Sequence, residues 1–135
     1  MKYEIDKQQR YCIFTLEEAT INSVMAPQLK SEFVFLNNEG IKNLIFNMNN
    51  VDYVDSSGLS AILTANRLWK STGSFILTNI KSESVQKLIE ISKLDSILTI
   101  VPTLDESIEY VFMEDIERDL DDEEADDDES SDDDE

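Results

Sequence analysis

Asn43-Leu44-Ile45-Phe46-Asn47-Met48 leads, across Asn49-Asn50, into Val51-Asp52-Tyr53-Val54-Asp55-Ser56-Ser57-Gly58-Leu59. The first six residues are a short apolar run with the length of a buried strand. From Ser56 to Thr72 the apolar residues return at helical spacing, with Leu59, Ile62, Leu63 and Trp69 on or beside one face and Gly73 at the end. A strand, a loop and an amphipathic helix follow one another, and the loop ends where unpaired backbone N–H groups and the positive end of the helix dipole favour an anion.

Outward from this stretch the same alternation continues. Towards the N-terminus, Met25, Leu29, Phe33 and Leu36 mark a helix that starts near Ser23, carries Pro27 in its first turn and stops at Gly40. Before it, Lys2 to Asp6 and Arg10 to Leu16 read as a hairpin, the second run, YCIFTL, being rich in β-branched and aromatic residues. Towards the C-terminus, Ser74 to Ile80 reads as a strand and Val85, Leu88 and Ile89 as a third helix. Ile97 to Val101 is a further strand ended by Pro102, and Leu104, Ile108, Val111 and Phe112 form a last helix. The order β-β-α-β-α-β-α-β-α predicts an α/β domain with a mixed, largely parallel sheet, an N-terminal antiparallel hairpin and about four helices. With four helices, one sheet face should be covered better than the other.

Charge divides the chain. Residues 114–135 hold 16 acids and one base, a net of −15, while residues 1–113 hold 14 acids and 10 bases. The tail from about Asp121 onward, DDEEADDDESSDDDE, has one apolar side chain, Ala125, and is expected to stay disordered because it has nothing to bury. The remainder is the size of one domain with its own core. No basic patch favours nucleic acid, no apolar stretch approaches a membrane span, and MKYEIDKQQR has no apolar targeting region, so a cytoplasmic protein is expected.

The residue inventory also closes most catalytic routes. The 135 residues include no His, one Cys and three Gly. Histidine-based nucleophile activation, a cysteine cluster and the usual glycine-rich phosphate loops are therefore absent, and neither a metal nor a cofactor is expected. Cys12, between Tyr11 and Ile13, reads as a buried small hydrophobe. No base is placed to activate Ser56 as a nucleophile, so the chain is not expected to be an enzyme.

Asp55, Ser56 and Ser57 are all capping residue types, and Gly58 would admit close packing against a neighbouring strand. One reading of the loop is therefore a helix cap; the other is a hydroxyl exposed for modification. V-D-Y-V-D-S-S-G-L-S-A-I-L, the later F-I-L-T strand and K-L-I-E-I-S-K-L-D-S-I-L-T-I together resemble the STAS domain family, specifically the anti-sigma factor antagonists of bacteria. The resemblance covers about residues 2 to 116. It implies a STAS domain at residues 1–116, with 117–135 as an acidic tail outside the family pattern.

The resemblance further implies partner switching, in which the unphosphorylated protein binds an anti-sigma factor that is also a serine kinase and is released when that kinase phosphorylates it. Carried onto this chain, Ser56 is the phosphorylation site, and Asp55, Ser56, Ser57, Gly58 and Leu59 belong to the partner-binding loop. A second acidic position of the family, just before the first helix, falls on Asn22, one charge fewer. A phosphatase would reset the serine, and a monomer or weak dimer is expected. The alternative is a STAS scaffold or accessory subunit of a transporter or signalling assembly, in which Ser56 merely caps the helix. The tail reads either as a solvated extension or as a polyanion that competes for a basic groove on a partner.

Overall fold

The computed structural model describes the backbone of residues 1–133 and the side chains of residues 1–123. The hairpin is β1 (Tyr3–Lys7) and β2 (Cys12–Leu16), paired antiparallel from Tyr3↔Leu16 to Lys7↔Cys12. Parallel strands β4 (Asn43–Asn47), β6 (Ser74–Thr78) and β7 (Thr99–Val101) extend it in the order β1-β2-β4-β6-β7, giving the mixed, largely parallel sheet expected. Helices α1 (Ala26–Asn38), α2 (Ser56–Lys70), α3 (Glu83–Ile91) and α4 (Leu104–Asp133) connect and follow the strands.

Two elements escape sequence periodicity. β3 (Thr20–Ile21) and β5 (Tyr53–Val54) form a separate parallel ribbon, Thr20↔Tyr53 and Ile21↔Val54; β5 lies in the stretch read as a loop and β3 between the predicted hairpin and the first helix. Two residues carry no measurable alternation, and their pairing joins segments more than thirty positions apart. A short 3-10 turn, Leu94–Ser96, also precedes β7, which starts at Thr99 rather than Ile97.

The two sheet faces are covered unequally. On one face Phe14, Leu44, Phe46, Phe75 and Leu77 meet Leu29, Phe33, Ile62 and Trp69 from α1 and α2, with Val85 and Ile89 of α3 in the same core. Phe33 sits at its centre, edge-on to Phe46, Trp69 and Phe75 at 5.4 to 6.3 Å between ring centroids, the arrangement that aromatic quadrupoles favour. The Trp69 indole N–H donates to the Ile41 carbonyl at 2.9 Å, so this large side chain is buried without an unpaired donor. Cys12 is fully buried, as its apolar neighbours implied. On the other face Ile13, Ile45 and Ile76 are covered by α4 through Val111.

α4 is fastened by a polar cluster that the sequence reading did not find. The Asp115 carboxylate, 4 % exposed, lies 2.9 Å from the Arg118 guanidinium, 3.7 Å from Arg10 and 3.8 Å from Lys42. Asn43 Nδ2 donates to it at 3.2 Å and to the Arg10 carbonyl at 2.8 Å, while Asn43 Oδ1 accepts from the Ser74 N–H. Arg118 also donates to the Ser74 hydroxyl at 2.7 Å. A buried carboxylate tolerates its desolvation only with such partners. The packed part of α4 thus continues to Arg118. From Asp119 to Glu123 the side chains are exposed. The disorder expected of the acidic tail concerns, from residue 124 on, side chains outside the described residues.

Candidate functional site

The β3–β5 ribbon builds the site. Because Ile21 pairs with Val54, the next residues, Asn22 and Asp55, are neighbours at the point where the chain enters α2. The Asp55 N–H donates to the Ile21 carbonyl at 3.0 Å. Asp55 is the N-cap of α2, with extended backbone, and its Oδ1 accepts the Gly58 N–H at 2.9 Å. Its Oδ2 accepts the Ser23 N–H at 3.2 Å, so one carboxylate ties the helix start to the segment before α1.

The cap is therefore made by Asp55, without Ser56. Ser56 stands at the first position of α2, exposed, while Ser57 is half-buried and Gly58 buried. A Cβ on Gly58 would lie 2.6 Å from the Ile21 carbonyl oxygen and 2.9 Å from a Val54 methyl. The helix approaches the ribbon that closely only because this residue has no side chain, as its position in the motif suggested. Leu59 is partly buried against the main core.

Asn22 serves the fold locally. Its Oδ1 accepts from the Val24 and Met25 N–H groups at 3.0 and 3.2 Å, and its carbonyl accepts from Met25 and Ala26. It closes the turn that leads into α1, which begins at Ala26 rather than near Ser23. The loop is also fastened to α3: Ser82, whose Oγ accepts the Val85 N–H as the N-cap, donates to the Asp52 carbonyl at 2.7 Å, and Ser84 donates to the same oxygen at 3.1 Å.

A groove of about 610 Å³ opens beside Ser56 between α2 and α3, lined by Tyr53, Leu59, Lys87, Leu88 and Ile91 among others. Tyr53 and Ile91 are exposed there. Sequence reasoning missed Tyr53, Lys87 and Ile91, which come from a two-residue strand and from the outer side of α3. The one available signal was Ile91, an isoleucine off the apolar face of its helix. Among the described residues no group of His, Cys, Asp and Glu is arranged to hold a metal ion, and no helix is long and apolar enough to cross a membrane.

A hairpin-led, largely parallel sheet, three helices on one face and one on the other, and a capped Asp-Ser-Ser-Gly loop define one class of α/β domain. The chain belongs to the STAS domain family, whose model matches residues 2–107. It is 30% identical over 101 residues to the Bordetella bronchiseptica protein named "Putative anti-sigma factor antagonist BtrV", covering 74% of this chain and 85% of that protein. Its fold matches the crystal structure of an anti-sigma factor antagonist from Mycobacterium paratuberculosis with a TM-score of 0.71 at 22% identity, over 82% of this chain and 92% of the other. It also matches the anti-sigma factor antagonist SpoIIAA in its unphosphorylated form (TM-score 0.68, 21% identity, 82% and 96% covered). The phosphorylated form of the Bacillus protein matches at 0.62, with 20% identity and 82% and 99% covered.

Proposed function

We propose that the chain is an anti-sigma factor antagonist that acts by partner switching in the cytoplasm. Unphosphorylated, it binds an anti-sigma factor with serine kinase activity; phosphorylation of Ser56 ends that complex, and a phosphatase restores it. The likeness to BtrV supports the antagonist reading. The observation that carries the choice of residue is the division of labour at the head of α2. Asp55 holds the cap, so the adjacent Ser56 hydroxyl is exposed and free of a structural duty that a phosphate would disturb.

The electrostatics follow from that placement. A phosphoserine adds about −1.5 to −2 charge at a helix N-terminus, where the dipole accommodates it, so the domain stays folded. A partner surface desolvated against a neutral hydroxyl would instead meet a dianion beside Asp55, at a cost of several kcal/mol by order of magnitude. The groove formed with Tyr53, Leu59 and Ile91 supplies apolar area next to the serine for such a docked surface.

The test is intact mass after incubation with the cognate kinase and ATP, alongside partner binding. Ser56→Ala is expected to bind and stay unmodified, Ser56→Asp to fold but bind poorly, and Ser57→Ala to remain a substrate. Phosphate on Ser57, or a Ser56→Asp protein that binds as tightly as the parent, would overturn the assignment. Absence of any phosphate uptake would favour the scaffold reading.

A further inference from the structure

The outer side of α4 carries Phe112, Met113, Ile116 and Leu120, which are 40, 60, 52 and 54% exposed. At about 100° per residue they fall within roughly a third of the helix circumference, turned away from the buried Val111 and Asp115. Phe112 is held in place by an edge-on contact with Tyr11 and by the Arg10 guanidinium 6.0 Å from its ring. Single exposed apolar residues are ordinary, but four adjoining ones on one helix mark an interaction surface.

The charge around the patch says what covers it. Glu109, Glu117, Asp119 and Asp121 are exposed about it; Arg118, the one base between residues 104 and 123, is committed to Asp115 and Ser74, and Arg10, beside Phe112, is paired with Asp115. A second copy of this chain would set those acids, and the net −15 of residues 114–135, against their like. An anionic lipid surface is disfavoured for the same reason.

We propose that this face of α4 is a second docking surface, occupied by a partner protein that presents an apolar groove ringed by Lys and Arg. The apolar side chains fill the groove while the acids on either side and beyond Leu120 pair with its rim and steer the encounter. The surface is independent of the serine switch. α4 covers the sheet face opposite α1 and α2, and Arg118 meets Ser74 at the N-terminal end of β6, whereas the loop to Ser56 leaves the C-terminal end of β4. Both surfaces can therefore be occupied at once.

The test titrates the ¹⁵N-labelled full chain with a synthetic amphipathic peptide of Leu and Lys, with polylysine and phosphatidylserine vesicles in parallel arms, and follows sedimentation of the chain alone. The Leu/Lys peptide should shift the resonances of residues 112–120. The triple variant Phe112→Ser, Ile116→Ser, Leu120→Ser should weaken that binding by roughly tenfold or more, with polylysine binding unchanged. Ile116→Arg, a single exposed substitution, should weaken the peptide as well and keep the parent's melting temperature. Equal peptide binding by parent and triple variant would reduce the effect to charge and overturn the proposal. So would a dimer that the triple variant dissociates, or uptake on the vesicles through these residues.

Discussion

Replacing Asp55 by Ala removes the acceptor of both the Gly58 and the Ser23 N–H groups. The expected loss is about 1 to 2 kcal/mol, at the upper end for a helix cap, whereas Ser56→Ala should stay within about 0.5 kcal/mol. Urea unfolding of the two variants measures the difference, and equal losses would mean that the hydroxyl shares the cap. The same scale contains Cys12, fully buried in β2. Burial pushes its thiol up to about 11; Lys7 offsets this in part, while Asp6 and Glu39 add to it. Well below its ordinary value of about 9 the thiol is protonated in both the folded and the unfolded chain and contributes no pH dependence. Between about 9 and 11 only the unfolded chain ionises, so stability falls as pH rises, by about 2 to 3 kcal/mol across the window. Cys12→Ala lacks this component, so its unfolding free energy should fall less than the parent's between pH 8 and 10.5. Parallel curves for the two proteins would contradict the buried, protonated thiol.

At the scale of elements, the contact between α2 and the β3–β5 ribbon decides where the serine loop stands. Gly58→Ala should improve helix propensity by up to about 1 kcal/mol. The new methyl, however, would meet the Ile21 carbonyl, a backbone atom that cannot swing aside. A net destabilisation of about 1 to 3 kcal/mol is expected, read from the urea midpoint. An unchanged or higher midpoint would show that the ribbon yields. The ribbon also explains which part of the site was legible. Asp55, Ser56, Ser57 and Gly58 stand together in sequence, and their residue types announce a helix start; that Asp55 alone makes the cap is a matter of side-chain direction. Asn22 joins them through a two-residue pairing that leaves no periodic trace, and it enters the sequence reading only through family resemblance.

At the scale of the whole molecule, α4 joins a packed segment to an acidic one, and the division between them is testable by truncation. Deleting residues 121–135 should move the melting temperature by no more than about 2 to 4 °C, because Asp115 and Arg118 are retained. Deleting residues 115–135 removes the carboxylate that gathers Arg10, Lys42 and Asn43, and the melting temperature should fall by roughly 5 °C or more. Equal effects of the two deletions would mean that the tail packs on the body or that the cluster holds nothing. The alternation of strands and amphipathic helices, the antiparallel start, the burial of Cys12 and the unequal covering of the sheet were all legible in the residues. Those properties follow from apolar periodicity and residue type, which are local. The β3–β5 ribbon, the Asp115 cluster, the apolar groove beside Ser56 and the exposed stripe on α4 emerged with the folded chain. Each depends on which distant segments meet and which side of an element faces water, and that is fixed by packing across the whole domain.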